Sequence, residues 1–330
     1  MRAAPAAGRG GRRGAPAAAV ALLLALGAGA CAQVDVPESL PEPTTTTAPP
    51  VEAPPPEPDC GNPAASLRPD GPAGTDVPAG SYMADIRERG RLRVGVDVGT
   101  LRLSSVDPLT GEFTGFDVDI AREVAAALFD DPDAVQFIGI PSSERENVLR
   151  DGDVDLVASS FTATCSRRQR VSFSSEYFRA GQRVLVRDDD PAGSLADLGE
   201  RGAEVCVSAG STAIANIQNQ PEPHPEIVPA PQRADCLVRL QRGEADAMVT
   251  DDAILAGMAA QDPSLRIVGE RLSTEPYALG LPPGHREWVR YVNAVLDDVR
   301  SSGRWEQLYA EHLADVLGPS SGPPAPVYED

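Results

Sequence analysis

Two segments of this chain repeat one local plan. RDGDVDLVAS (150–159) and QRGEADAMVT (241–250) each close a helix-like run at glycine, place an aspartate three residues later, and enter a short apolar strand. Helix, glycine stop and strand in that order build parallel sheets with crossover helices. Around the first copy, RLRVGVDV, FDVDIAREVAAALF, AVQFIGI, ERENVLRDG and VDLVAS alternate strand and helix. Ile120, Val124, Ala127 and Leu128 recur with helical period in that amphipathic run. Around the second copy, AEVCVSAG, STAIANIQ, ADCLVRLQRG, ADAMVTD, DAILAGMAAQ and LRIVGE do the same. Two helices, EWVRYVNAVLDDVRSSG and RWEQLYAEHLADVL, follow. The expectation is an α/β chain of two similar lobes.

In open parallel sheets a ligand sits outside the carboxyl ends of the strands. Those ends carry Asp97, Ser159-Ser160, Ser208-Ala209-Gly210 and Thr250-Asp251. Two facing lobes would make a cleft between them. SSFTATCSRRQR (159–170) leaves one such end, so Ser160, Thr162 and Arg167 can face the cleft. Hydroxyls and an arginine fork suit a carboxylate. Arg168 and Arg170 read as solvated charges. Opposite, Gly210-Ser211-Thr212 opens a helix whose free amides suit the same anion. Asp251 suits an ammonium. An anion socket and a cation socket together describe an α-amino acid.

Composition excludes other classes. The 330 residues include 29 basic and 49 acidic side chains, a net charge of -20, and every basic residue is arginine. That field repels nucleic acid and anionic membrane. Without lysine there is no Schiff-base chemistry and no P-loop. His224, His285 and His312 lack metal-ligand spacing and read as surface residues. No metal and no cofactor is expected.

The first 30 residues read as a secretory signal: a basic start, then APAAAVALLLALGAGA. The apolar run of about 16 residues is short of the ~20 a span needs. Cys31 follows at once, as at a bacterial lipidation site, although Ala28 stands where leucine is usual. Residues 32–80 are rich in proline, threonine and glutamate and read as an extended tether. Residues 318–330 read as a disordered tail. The expected object is a monomer, lipid-anchored at Cys31 on the outer membrane face. Four cysteines remain, Cys60, Cys165, Cys206 and Cys236, an even number in an exported chain. Three pairings are open. Nearness in one region favours Cys206 with Cys236, which leaves Cys60 for Cys165.

The ordered series GEFTGFDVDIAREVA, ERENVLRDGDVDLVASS, TATCSRRQRVSFSSEYF, VCVSAGST, DCLVRLQRGEADAMVTDDAILAG and GRWEQLYAEHL resembles the family-3 solute-binding proteins of ABC importers for polar amino acids. It is similar above all to actinobacterial lipoproteins that bind glutamate, aspartate or glutamine. The resemblance covers about 81–317. It implies the type II periplasmic-binding-protein fold, two α/β lobes joined by two crossover strands that close on the ligand by hinge motion. Lobe 1 would hold 81–181 plus 276–317 and lobe 2 would hold 187–271, with crossovers near GQRVLV and RLSTEPY. Thr162 and Arg167 match residues that hold the ligand α-carboxylate. Ser160 and Asp251 match residues that meet its α-amino group. Ser211 and Thr212 match residues that close from lobe 2. Ser142 and Arg145 match readers of an acidic side chain, while Asp97 matches a reader of a side-chain amide. Arg102, in a loop where an aromatic usually stacks on the ligand, could add a positive group. The implied order of ligands is glutamate and aspartate, then glutamine and asparagine, then cationic amino acids.

The resemblance implies delivery to an ABC permease. A membrane sensor is the alternative partner. A dehydratase acting on cyclic acids is the enzyme alternative, with Glu176 and Asp251 as candidate acids.

Overall fold

The computed structural model describes residues 55–329. The expected signal segment, Cys31 and the first part of the tether lie outside them.

The two lobes are present, each built on a five-stranded mixed sheet. In the first, Val135–Gly139, Leu92–Val96 and Leu156–Val157 run parallel, and Gly280–Leu281 joins antiparallel between Leu156–Val157 and Ser172–Phe173. In the second, Glu226–Ala230, Glu204–Ser208 and Ala247–Asp251 run parallel, and Gln182–Arg187 runs antiparallel between Ala247–Asp251 and Leu265–Val268. Each sheet thus repeats the same plan, as the paired glycine-aspartate segments imply.

Phe178–Ala180 and Glu275–Tyr277 pair antiparallel as a separate two-stranded ribbon. They are the crossovers. RLSTEPY holds one of them; GQRVLV instead begins the lobe 2 strand directly after the other.

Local chemistry sets the element ends. Ser81 caps helix Tyr82–Arg89 by accepting from the Ala84 amide, and Gly90 ends it in the left-handed region at φ 80°. Helix Phe116–Phe129 buries Phe116, Val118, Ile120, Ala121, Val124, Ala125 and Leu128. Gln232 and Asp235 form a reciprocal box at the start of helix Arg233–Arg242.

Both disulfides follow the nearness argument: Cys206 pairs with Cys236, and Cys60 pairs with Cys165 across 105 residues. Four expectations need correction. The segment read as tether is docked from Cys60 onward, because Ala65–Leu67 pairs in parallel with Val327–Glu329. The tail read as disordered therefore contains a strand, held also by Tyr328 donating to Asp297 at 2.6 Å. Arg168 is not a solvated charge: its guanidinium donates to the Pro63 carbonyl at 2.7 Å and to that of Ala65. Nor is His312 a surface residue, since it is buried against Asp119 at 2.6 Å and ties the last helices to Phe116–Phe129.

Candidate functional site

The strand ends of the two lobes converge on one buried cavity. Arg145, Ser160, Thr162 and Arg167 line it from lobe 1; Ser211, Thr212, Arg233, Thr250 and Asp251 line it from lobe 2, with Gln182 beside the crossover. Its volume is ≈ 10 Å³, about the room of one water. Two wider grooves, ≈ 410 and ≈ 850 Å³, lie under the proline-rich tail and beside the docked leader. They are larger, but they do not bring buried arginines and a buried acid together from two lobes.

Arg167 enters from the short helix Cys165–Arg168, whose cap Thr164 accepts from the Arg167 amide. The guanidinium is buried and stacks over Phe161 at 5.0 Å. It donates to the Thr162 carbonyl at 2.7 Å and, across the cleft, to the Gly210 carbonyl at 2.9 Å. Arg145 lies on the same ring at 4.5 Å. Burial, with Arg167 and Arg233 nearby, pushes its pKa well down from the arginine range. Carbonyls offset that cost: Ser142 at 2.9 Å, Ser159 at 3.1 Å, Ser160 at 3.2 Å and Gly210 at 3.2 Å.

The Gly210 carbonyl thus occupies both arginine sockets. A cavity this small admits no amino acid, so entry requires the lobes to part and that carbonyl to withdraw. The approach is close enough to need glycine. Gly210 has φ +74°, and a Cβ there would lie 2.6 Å from the Ser143 Cα of the opposite lobe. Gly210→Ala is therefore expected to hinder closure and weaken ligand binding about ten-fold or more, read by calorimetry, and to lower the melting temperature modestly because alanine is strained at this φ.

Asp251 ends the strand Ala247–Asp251 and accepts from the Tyr277 hydroxyl. Burial and the Glu275 charge raise its pKa to about 7, against the opposing Tyr277 hydrogen bond. Glu275 itself was not legible as a site residue. It is buried in a crossover and joins the lobes: it accepts from Thr162 at 2.7 Å and from Thr212 at 2.8 Å, both on Oε2, and from Asn216 at 2.7 Å on Oε1. The hydroxyl hydrogens of Thr162 and Thr212 are spent on it. Asp117 is the second unread acid. Its carboxylate accepts from the Ser160 amide at 2.7 Å and holds that residue at φ 46°, strain of the kind found at ligand clamps.

Asp97 does not stand as an uncompensated charge. Its Oδ1 accepts from the Gly99 amide and the Thr100 hydroxyl, each at 2.8 Å, and its Oδ2 lies 3.3 Å from Arg233.

Two expected contacts, Arg102 and Ser142, lie outside this lining, as does Asp97. Arg102 pairs with Asp315 at the surface and does not reach the cavity lining. Ser142 is buried with its hydroxyl unpartnered among the described residues, but it too lies outside the lining. Arg145 lines the cavity with its fork already filled by carbonyls. Glu176, the other candidate acid for catalysis, sits in the Arg179 fork away from the cavity.

Comparison with known proteins gives one consistent answer. The profile of the bacterial extracellular solute-binding proteins, family 3, matches residues 92–315. The glutamine-binding protein GlnH of an ABC transporter in Bacillus subtilis is 31% identical over 233 residues, covering 71% of this chain and 85% of that one. The glutamate-binding protein GluB of Corynebacterium glutamicum is 29% identical, covering 69% and 80%. The solved solute receptor for L-cysteine of Neisseria gonorrhoeae superposes with a TM-score of 0.67 at 28% identity, covering 72% of this chain and 95% of that structure.

Proposed function

The chain belongs to the bacterial extracellular solute-binding proteins of family 3, and from that premise we propose that it captures a polar α-amino acid by lobe closure and delivers it to an ABC permease. The observation that carries this reading is the pairing of a buried arginine on lobe 1 with a buried aspartate on lobe 2 around one cavity. Arg167 supplies a fork for the α-carboxylate, which displaces the Gly210 carbonyl. Asp251 takes the α-ammonium. Glu275 couples the two, because its hydrogen bonds to Thr162 and Thr212 form when the lobes meet.

Glutamate and aspartate rank first, with glutamine and asparagine second. Three arginines line the cavity and Asp97 is already ion-paired, so a side-chain carboxylate meets compensating charge. Named relatives bind glutamine and glutamate, which supports this ligand class. The reading of residues 1–31 as an export signal ending in a lipidated cysteine, together with an extracellular family, supports a position at the extracellular face of the cell membrane. The named relatives are binding proteins, and no turnover is proposed.

A thermal-shift screen of the twenty amino acids tests the reading. A ligand that binds the folded chain raises its melting point by linkage. Stabilisation by the four ranked ligands is expected. Stabilisation by arginine or lysine with none from those four would overturn the ligand class.

A further inference from the structure

Arg233 is the cavity residue without an assigned task. It is the first residue of helix Arg233–Arg242 and is 4% exposed. A cation at a helix N-terminus opposes the helix dipole. Burial adds a desolvation cost. Such a residue persists where another group offsets those terms. Here the offset comes from the opposite lobe: Nη1 donates to the Thr100 hydroxyl at 3.0 Å and lies 3.3 Å from Asp97 Oδ2.

The three cavity arginines differ in what they have left to offer. Arg145 spends Nε and Nη1 on the Ser142, Ser159 and Ser160 carbonyls, Arg167 spends Nη1 on the Thr162 carbonyl with Glu146 3.8 Å from its Nε, and withdrawal of Gly210 frees only Nη2 of each. Arg233 uses Nη1, and its Nε and Nη2 make no hydrogen bond among the described residues. With Arg167 taking the α-carboxylate and Asp251 the α-ammonium, Arg233 is the lining cation with unspent donors left for what projects from the α-carbon.

We propose that Arg233, rather than Arg145, reads the ligand's side chain, and that its pairing with Asp97 sets the preference between a side-chain carboxylate and a side-chain amide. The proposal rests on the amino-acid reading above. The free edge of Arg233 donates to a carboxylate or amide oxygen. Its Nη1 keeps Asp97 neutralised, so an acidic side chain is not repelled. Because Arg233 belongs to lobe 2 and Asp97 to lobe 1, this subsite is complete only in the closed form.

The test is the ratio of the dissociation constants for glutamate and glutamine, measured by calorimetry on the full chain. Arg233→Met leaves Asp97, which lies behind the cavity lining, without its ion-pair partner. Glutamate is expected to lose at least ten-fold more affinity than glutamine. Asp97→Asn should move the ratio the opposite way, toward glutamate, and keeps the test alive should Arg233→Met fold poorly. Equal losses for both ligands in Arg233→Met, or an unchanged ratio in Asp97→Asn, would overturn the subsite and leave Arg233 as a lobe latch. A wild-type chain that binds neither ligand nor any other amino acid would overturn the amino-acid reading together with it.

Discussion

Arg167→Ala is expected to weaken amino-acid binding about thirty-fold or more, the result of losing one side of a buried charge-assisted pair at ~2–5 kcal/mol. The variant should also melt lower, because the Thr162 and Gly210 carbonyls lose a donor. Arg167→Lys separates the two effects. It keeps the charge but not the planar fork, so affinity should fall between wild type and alanine. Arg150, exposed and bonded to Asn147, is a suitable control and should change little. Arg168 is not a suitable control, because it holds the docked leader. Calorimetry on variants whose folding is checked by circular dichroism decides the matter. Wild-type affinity in folded Arg167→Ala would remove this arginine from the site.

The second large effect is on pH. Burial and the Glu275 charge hold Asp251 at about 7 in the ligand-free chain. An unfolded aspartate titrates near 3.9. Between these values the folded state carries a proton that the unfolded state has lost. Asp251 therefore makes stability fall as pH rises from about 4 to about 7, with the loss complete above that. Binding has the opposite sign. The ligand ammonium needs the carboxylate, so affinity should rise about ten-fold per pH unit below about 7 and level off above. Titrations in two buffers of different ionisation heat should register close to one proton released at about pH 5 to 6 and about half of one at neutral pH. Asp251→Asn should bind weakly and lose the slope. A flat affinity from about pH 5 to about pH 8 would exclude ionised Asp251 as the ammonium partner.

The sequence and the structure agree where a signal is local. The repeated glycine-aspartate strands and the helix starts each sit within a few residues, and each reappears in the fold. Arg167, Thr162, Ser160, Ser211, Thr212 and Asp251 were legible because strand ends mark a cleft. Glu275 was not, since RLSTEPY has no period and its partner Thr162 is 113 residues away. Arg233 carries no sequence signal of a site, because Thr100, 133 residues earlier, gives no hint of contact. Asp117 is an acid within an amphipathic run and carries no local sign of being fully buried under Ser160. Arg145 lines the cavity, but a guanidinium surrounded by carbonyls looks the same in sequence as a free one. The tail misled for a different reason: GPSSGPPAPVYED has a disordered composition, and its strand exists through pairing with Ala65–Leu67.

The central claim is that opposite lobes read the two ends of an α-amino acid. Calorimetry with L-glutamate and with its N-acetyl derivative tests it most directly. Acetylation removes the ammonium and leaves both carboxylates. Facing Asp251, the blocked ligand loses its charge partner and leaves a buried acid unpaired, so its affinity should fall about a hundred-fold or more. N-acetylglutamate binding as tightly as glutamate would contradict the account.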